Sequence, residues 1–323
     1  MLPGNTLGNI ETLVKAAAAA GRLGPGRNFY VSSTNAQHLA ITDSDTNSGL
    51  TPLDPLSTID YAIGLCTAGR GDNIICLPGH TEDITTAAAI VFDVADVTLL
   101  GLGTGSARPT ITCSGTTDTT DINITAANVT IDNVYFDMTG NDSVAAFIDV
   151  DAADCTFRNC YFLLADSGGQ VDIGVDVGTG SHRCKFHDCT FFGDTAESVA
   201  ITVSAAVTEF EMQRCRIDAV GATSPGLIEF TAVATNIFMK DCYFANRVAS
   251  ATTTVDFNAN ACTGMFVNVH SVLGTIATAG SGILPFESTG QAAYIGLIEC
   301  YCVNDQAAGG AGEAGALVGA VSS

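Results

Sequence analysis

Cys155-Thr156-Phe157-Arg158-Asn159-Cys160-Tyr161-Phe162 is the stretch whose reading decides the fold. Its apolar residues stand at positions one, three, six and eight. Side chains on a straight strand alternate sides, so positions three and six of one strand cannot face the same way. A two-residue corner between them, here Arg158–Asn159, restores the parity and lets both halves aim inward.

The octet recurs at Val129–Phe136, Cys184–Phe191, Phe210–Ile217, Ile237–Phe244 and Ile295–Cys302, with a degenerate copy at Gly264–Ser271. Its third position is Ile131, Phe157, Phe186, Met212, Met239, Phe266 and Leu297. The second corner residue is Asn133, Asn159, Asp188, Arg214, Asp241, Asn268 and Glu299, polar in every copy. Asn and Asp tolerate the left-handed backbone that such a corner requires. Successive copies are offset by 26, 29, 26, 27, 27 and 31 residues, the behaviour of a solenoid with one variable turn.

A further strand precedes each octet, with inward pairs Ile122/Ile124, Ile148/Val150, Val175/Val177, Ile201/Val203, Ile228/Phe230, Val255/Phe257 and Leu284/Phe286. Three strands per coil in a parallel stack follow. The expected fold is all-β, a right-handed parallel β-helix of about nine coils, roughly 40 Å long at the usual strand spacing. Residues 1–28 read as an N-terminal arm with a short helix over Asn9–Ala20, stopped by Gly21. Residues 29–70 read as the lead-in with a capping helix, 71–305 as the β-helix, and 306–323 as a Gly/Ala-rich C-terminal arm.

The segment Asp45-Thr-Asn-Ser-Gly-Leu-Thr-Pro-Leu-Asp-Pro-Leu-Ser-Thr-Ile-Asp-Tyr-Ala-Ile63, followed by Gly71-Asp-Asn-Ile-Ile-Cys-Leu-Pro-Gly79, resembles the opening of the pectate-lyase-like β-helix superfamily. The resemblance spans about residues 29 to 305. In it, Ser57 caps a short helix with Asp60 in a capping-box place, and Ile59, Ile63 and Cys66 seal the open end of the solenoid. Such a likeness specifies fold better than function.

The resemblance also implies where chemistry would lie: on the outer side of the strand preceding each octet. That column reads Asn123, Asp149, Asp176, Thr202, Glu229, Asp256 and Pro285. Asp149 with Asp176, and Glu229 with Asp256, fall about 5 Å apart on adjacent coils. Such pairs suit a hard cation or acid and nucleophile work on a glycosidic bond. Against this, the column has no Lys or Arg, and the chain has no Trp to stack on a sugar ring. The expectation is a solvated acidic face, no enzyme and no cofactor.

Lys and Arg total 12 against 34 Asp and Glu, a formal net charge of −22. That balance repels phosphates and anionic membranes, so neither nucleic acid nor membrane is an expected partner, and a basic protein surface is. The start, Met1-Leu-Pro-Gly-Asn-Thr6, lacks a secretory n- and h-region, which points to synthesis and retention in a cytoplasm. Five of the twelve cysteines (Cys160, Cys189, Cys215, Cys242 and Cys300) repeat at one inward position and read as buried hydrophobes. Cys66, Cys76, Cys113 and Cys262 fall elsewhere and are the candidates for disulfide or intersubunit links.

Two outer features suggest contacts. Tyr135, Tyr161, Tyr243 and Tyr301 follow the corner, and Phe238, Met265, Val267 and Ile298 make the last coils apolar where earlier coils carry Thr, Lys, Arg and His. A contiguous apolar strip marks a contact surface. With the Thr/Ala-rich faces and terminal arms, these features lead to the expectation of a trimeric phage structural subunit. Within the virion the expected place is the capsid surface, as decoration (cement) on the major capsid protein. The alternative is a carbohydrate-active β-helix, a polysaccharide depolymerase or receptor-binding spike.

Overall fold

A computed structural model describes residues 6–33, 42–86, 88–114, 121–139, 144–166, 169–221, 226–247, 253–258, 261–273, 286–287, 294–304 and 316–317. The octet halves and the preceding strand form three parallel sheets that close around one apolar interior. The first sheet stacks ten strands, from Asn28–Val31 to Tyr294–Ile298. The second runs in parallel from Thr81–Ile84 to Tyr301–Asn304, against which Ala316–Leu317 adds an antiparallel strand. The third begins at Ile90–Phe92 and ends at Phe286–Glu287. The fold is the expected parallel β-helix, but its coil count differs from nine. Strands Asn28–Val31, Asn73–Cys76 and Thr98–Gly101 join the first sheet without carrying the full octet.

Each predicted inward column is a register column. Ile122, Ile148, Val175, Ile201, Ile228 and Val255 pair in succession, and all are buried. Phe157 stacks on Phe186 at 5.0 Å, and Phe136, Phe162 and Phe191 stack at 5.0 and 4.1 Å. Each such fully buried ring contributes roughly 1.5–3 kcal/mol. The corner residues Asn133, Asn159, Asp188, Arg214, Asp241, Asn268 and Glu299 all have φ between 52° and 62°. A second left-handed column, Asp96, Asn128, Asp154, Arg183, Glu209 and Asn236, turns the chain just before the first sheet.

One register departs from the sequence reading. Phe286–Glu287 pairs with Val255–Asp256, so Glu287 takes the register position opposite Asp256 expected for Pro285, which lies outside the described residues. A two-residue slip preserves the in-and-out alternation, so the hydrophobic pattern is blind to it.

Helix α1, Thr6–Ala19, lies outside the tube. Its Ile10, Val14 and Ala17, spaced to share a face, pack on outward Tyr30, Ile75, Leu77, Leu100 and Leu102 of the first coils. Arg22 then anchors the segment by two bonds to Asp132, at 2.8 and 2.5 Å, and Arg158 Nε donates to the same carboxylate at 2.8 Å. Asp132 is 0% exposed, and a buried carboxylate is tolerable only with such partners. Helix α2, Ile59–Leu65, buries Ile59, Ala62 and Ile63 against the tube's open end. Its N-cap is Thr58 and not Ser57: Thr58 Oγ1 accepts from the Tyr61 amide, while Asp45 takes the Ser57 and Thr58 amides. No helix among the described residues is long and apolar enough to cross a membrane.

Candidate functional site

Alternation along the third sheet places its outward side chains in one column. Register orders them as Asn123, Asp149, Asp176, Thr202, Glu229 and Asp256. Neighbours on adjacent parallel rungs stand about 4.8 Å apart, so the two carboxylate pairs of the sequence reading are assembled, with Thr202 between them. Two further acids join the first pair. Asp121, buried two residues before Asn123, accepts from the Ala88 amide at 2.9 Å. Asp151 stands two residues beyond Asp149 at the rim of the column. Neither was singled out from the sequence, because each lies outside the strict repeat position.

Asp149 is half-buried. Burial pushes its carboxyl up to about 7, reinforced by the charges of Asp121 and Asp176 and by a hydrogen bond shared with Asp121. Asp176 is also raised, again chiefly by burial, while the Ser204 hydroxyl, donating at 2.9 Å, pulls the other way. Its second oxygen, Oδ1, is buried with no hydrogen-bond partner, as is Oγ1 of Thr202 on the next rung. Thr202 is 4% exposed. In the second pair, burial and the Asp256 charge raise Glu229, and the Asn258 amide, 3.2 Å away, opposes them. Burial raises Asp256, opposed by the Asn258 backbone amide at 2.7 Å. No group of three or more His, Cys, Asp or Glu side chains among the described residues has metal-holding geometry. What the row offers is protonation chemistry: a carboxylic acid that keeps its proton near neutrality beside a second carboxyl.

The tyrosines share one outer column of the second sheet but not as neighbours throughout. Register runs Tyr135, Tyr161, Thr190, Arg216, Tyr243, His270, Tyr301. The Arg108 guanidinium lies 4.0 Å over the Tyr161 ring and that of Arg216 lies 4.6 Å over Tyr243, which covers one face of each ring. On the first sheet Phe238 pairs with Met265, and Val267 with Ile298. Met265 is 43% and Ile298 47% exposed. Of the four cysteines set aside for links, Cys76, Cys113 and Cys262 are buried in the tube. Cys66 keeps some surface, and burial, with the Asp72 charge, pushes its thiol up to about 12.

No protein-family model matches the chain, and no curated protein matches it. Among solved structures it is similar to the crystal structure of pectate lyase Pel9A, at 13% identity and a TM-score of 0.51, covering 90% of this chain and 80% of the lyase. It also aligns with a rhamnogalacturonan lyase at 12% identity and a TM-score of 0.43, covering 77% and 69%. At such identities the likeness is one of fold: a β-helix related to that of a polysaccharide lyase. The expectation of a chain that is not an enzyme is corrected by this finding. Its architecture over nine-tenths of its length is one on which an enzyme is built, and a column without Lys or Arg is no ground for setting catalysis aside.

Proposed function

We propose that the chain is a carbohydrate-active β-helix that cleaves glycosidic bonds along the outer face of its third sheet. The observation that carries this is the in-register pair Asp149 and Asp176, with Asp149 protonated near neutrality. Adjacent rungs set the two carboxyls about 5 Å apart, the separation at which one acts as acid and the other as nucleophile. Asp149 gives its proton to the glycosidic oxygen as that bond breaks. Asp176 in its ionised form attacks the anomeric carbon and forms a glycosyl ester. Water then releases the sugar, and Asp149 takes the proton from that water. The acidic column favours a neutral glycan over a polyuronate, since its described residues offer no cation to hold carboxylated sugars.

The test is incubation of the purified chain with a panel of neutral and acidic polysaccharides, scoring reducing ends and unsaturated products separately. New reducing ends from a neutral glycan, lost in Asp149→Asn, are expected. Unsaturated uronate products would replace hydrolysis with elimination. Equal turnover by wild type and variant would remove the pair from the chemistry.

A second reading, which does not compete with the first, rests on the outer strip of exposed Met265 and Ile298 with half-buried Phe238 and Val267. It makes the chain a subunit of an assembly, a homotrimer on a virion surface whose shell protein is basic where the two meet. Sedimentation of the wild type against Met265→Ser/Ile298→Ser checks it. An unchanged monomer in both would end that reading.

A further inference from the structure

We infer that the groove between α1 and the corner joining the first and second sheets is a binding site for an amphipathic organic anion, a carboxylate with an apolar tail. The groove encloses about 720 Å³, within the range of small-molecule sites. One wall is apolar, with Ile10, Leu13, Ala16 and Ala20 of the helical segment; the other is polar, with Thr104, Asn133 and Asn159. The void persists because neither wall can fill it. The alanines are too short to cross. On the opposite side the chain is packed close, since a Cβ on Gly101 would fall 2.2 Å from the Asn133 carbonyl oxygen.

Charge selects the ligand. The chain carries a net −22, yet here two guanidiniums, Arg22 and Arg158, share one carboxylate, Asp132, and Arg22 lines the groove. Arg22 and Arg158 are bound to Asp132. Arg108 forms no ion pair among the described residues: its guanidinium lies 4.0 Å over the Tyr161 ring and donates from Nη1 to the Asn159 carbonyl at 3.4 Å. A guanidinium held over a ring and by one carbonyl, with no carboxylate of its own, suits an incoming carboxylate. Asn159 is common to the groove wall and to Arg108. A ligand with its head at Asn159 and Arg108 would therefore lay its tail along α1.

The experiment is calorimetric titration of the full chain with decanoate and, separately, decanol, below the concentrations at which either aggregates. Decanoate is expected to bind and decanol at least about tenfold more weakly, the difference that one charge-assisted contact supplies. Ala16→Phe, an exposed helical position, should block the groove and abolish binding. Arg108→Gln should weaken decanoate about tenfold and leave decanol unchanged, with the melting temperature of both variants preserved. Equal affinity for the two probes overturns the proposal. So does decanoate binding that survives Ala16→Phe, or that is lost instead in Met265→Ser on the apolar strip.

Discussion

Asp149–Asp176 and Glu229–Asp256 occupy the same column, one Thr apart, on backbone of the same register. They differ in what surrounds them. The first pair sits among Asp121 and Asp151, whose charges add to burial, and carries an oxygen on Asp176 with no partner. The second pair has Asn258, which donates to both carboxyls and opposes their rise. A repeating fold therefore supplies placement only, and the protonation state that makes an acid catalyst comes from the residues beside the repeat position.

The largest effect expected is on turnover. Asp149→Asn should lower glycan cleavage by about 10²- to 10⁴-fold, the contribution of a positioned general acid. Glu229→Gln, in the amide-compensated pair, should lower it less than about tenfold if that pair only borders the glycan. Side-by-side rates of the two variants with circular dichroism to confirm the fold read this contrast. A deeper loss in Glu229→Gln than in Asp149→Asn would move the site three coils along the rod.

The same comparison has a pH signature in stability. A carboxyl whose folded pKa is raised binds its proton more tightly when folded. Its contribution is complete below the unfolded value, near 4 for Asp, and is lost as pH climbs through the folded value. For Asp149 that window closes at about 7. The wild type is therefore expected to melt at a lower temperature at pH 7.5 than at pH 5, both chosen as bracketing values about the window. Asp149→Asn, neutral at every pH, should flatten that slope more than Asp256→Asn does. A slope unchanged by Asp149→Asn would show that its carboxyl titrates as it would in water.

Much of this was legible in the octet. The parity break between positions three and six of Cys155–Phe162 requires a corner, and Asn159, at φ 52°, is that corner. The inward columns and the two carboxylate pairs followed from counting in twos. Three things did not. The packing of α1 on Tyr30, Ile75 and Leu100 is invisible, because outward apolar residues on early strands read as ordinary strand composition. The slip that substitutes Glu287 for Pro285 keeps parity and so leaves no trace. Asp121 and Asp151 act through space on Asp149, and neither stands at a repeat position where a column would be sought.

The finest distinction between the pairs rests on Thr202, which separates them. Its Oγ1 is buried without a partner beside the equally unpartnered Oδ1 of Asp176. An unmet buried hydroxyl costs about 1–3 kcal/mol, so a shape-matched replacement without it should relieve that cost. Thr202→Val is expected to stabilise the fold by about 1 kcal/mol, read as a rise in melting temperature of about 2–4 °C. If the hydroxyl faces glycan bound at Asp176, the same substitution should also raise the KM for that glycan, with kcat changed little. Stability and affinity would then move in opposite directions. A stabilised variant with unchanged KM would confine Thr202 to packing and leave the first pair to bind its glycan from the Asp121 side.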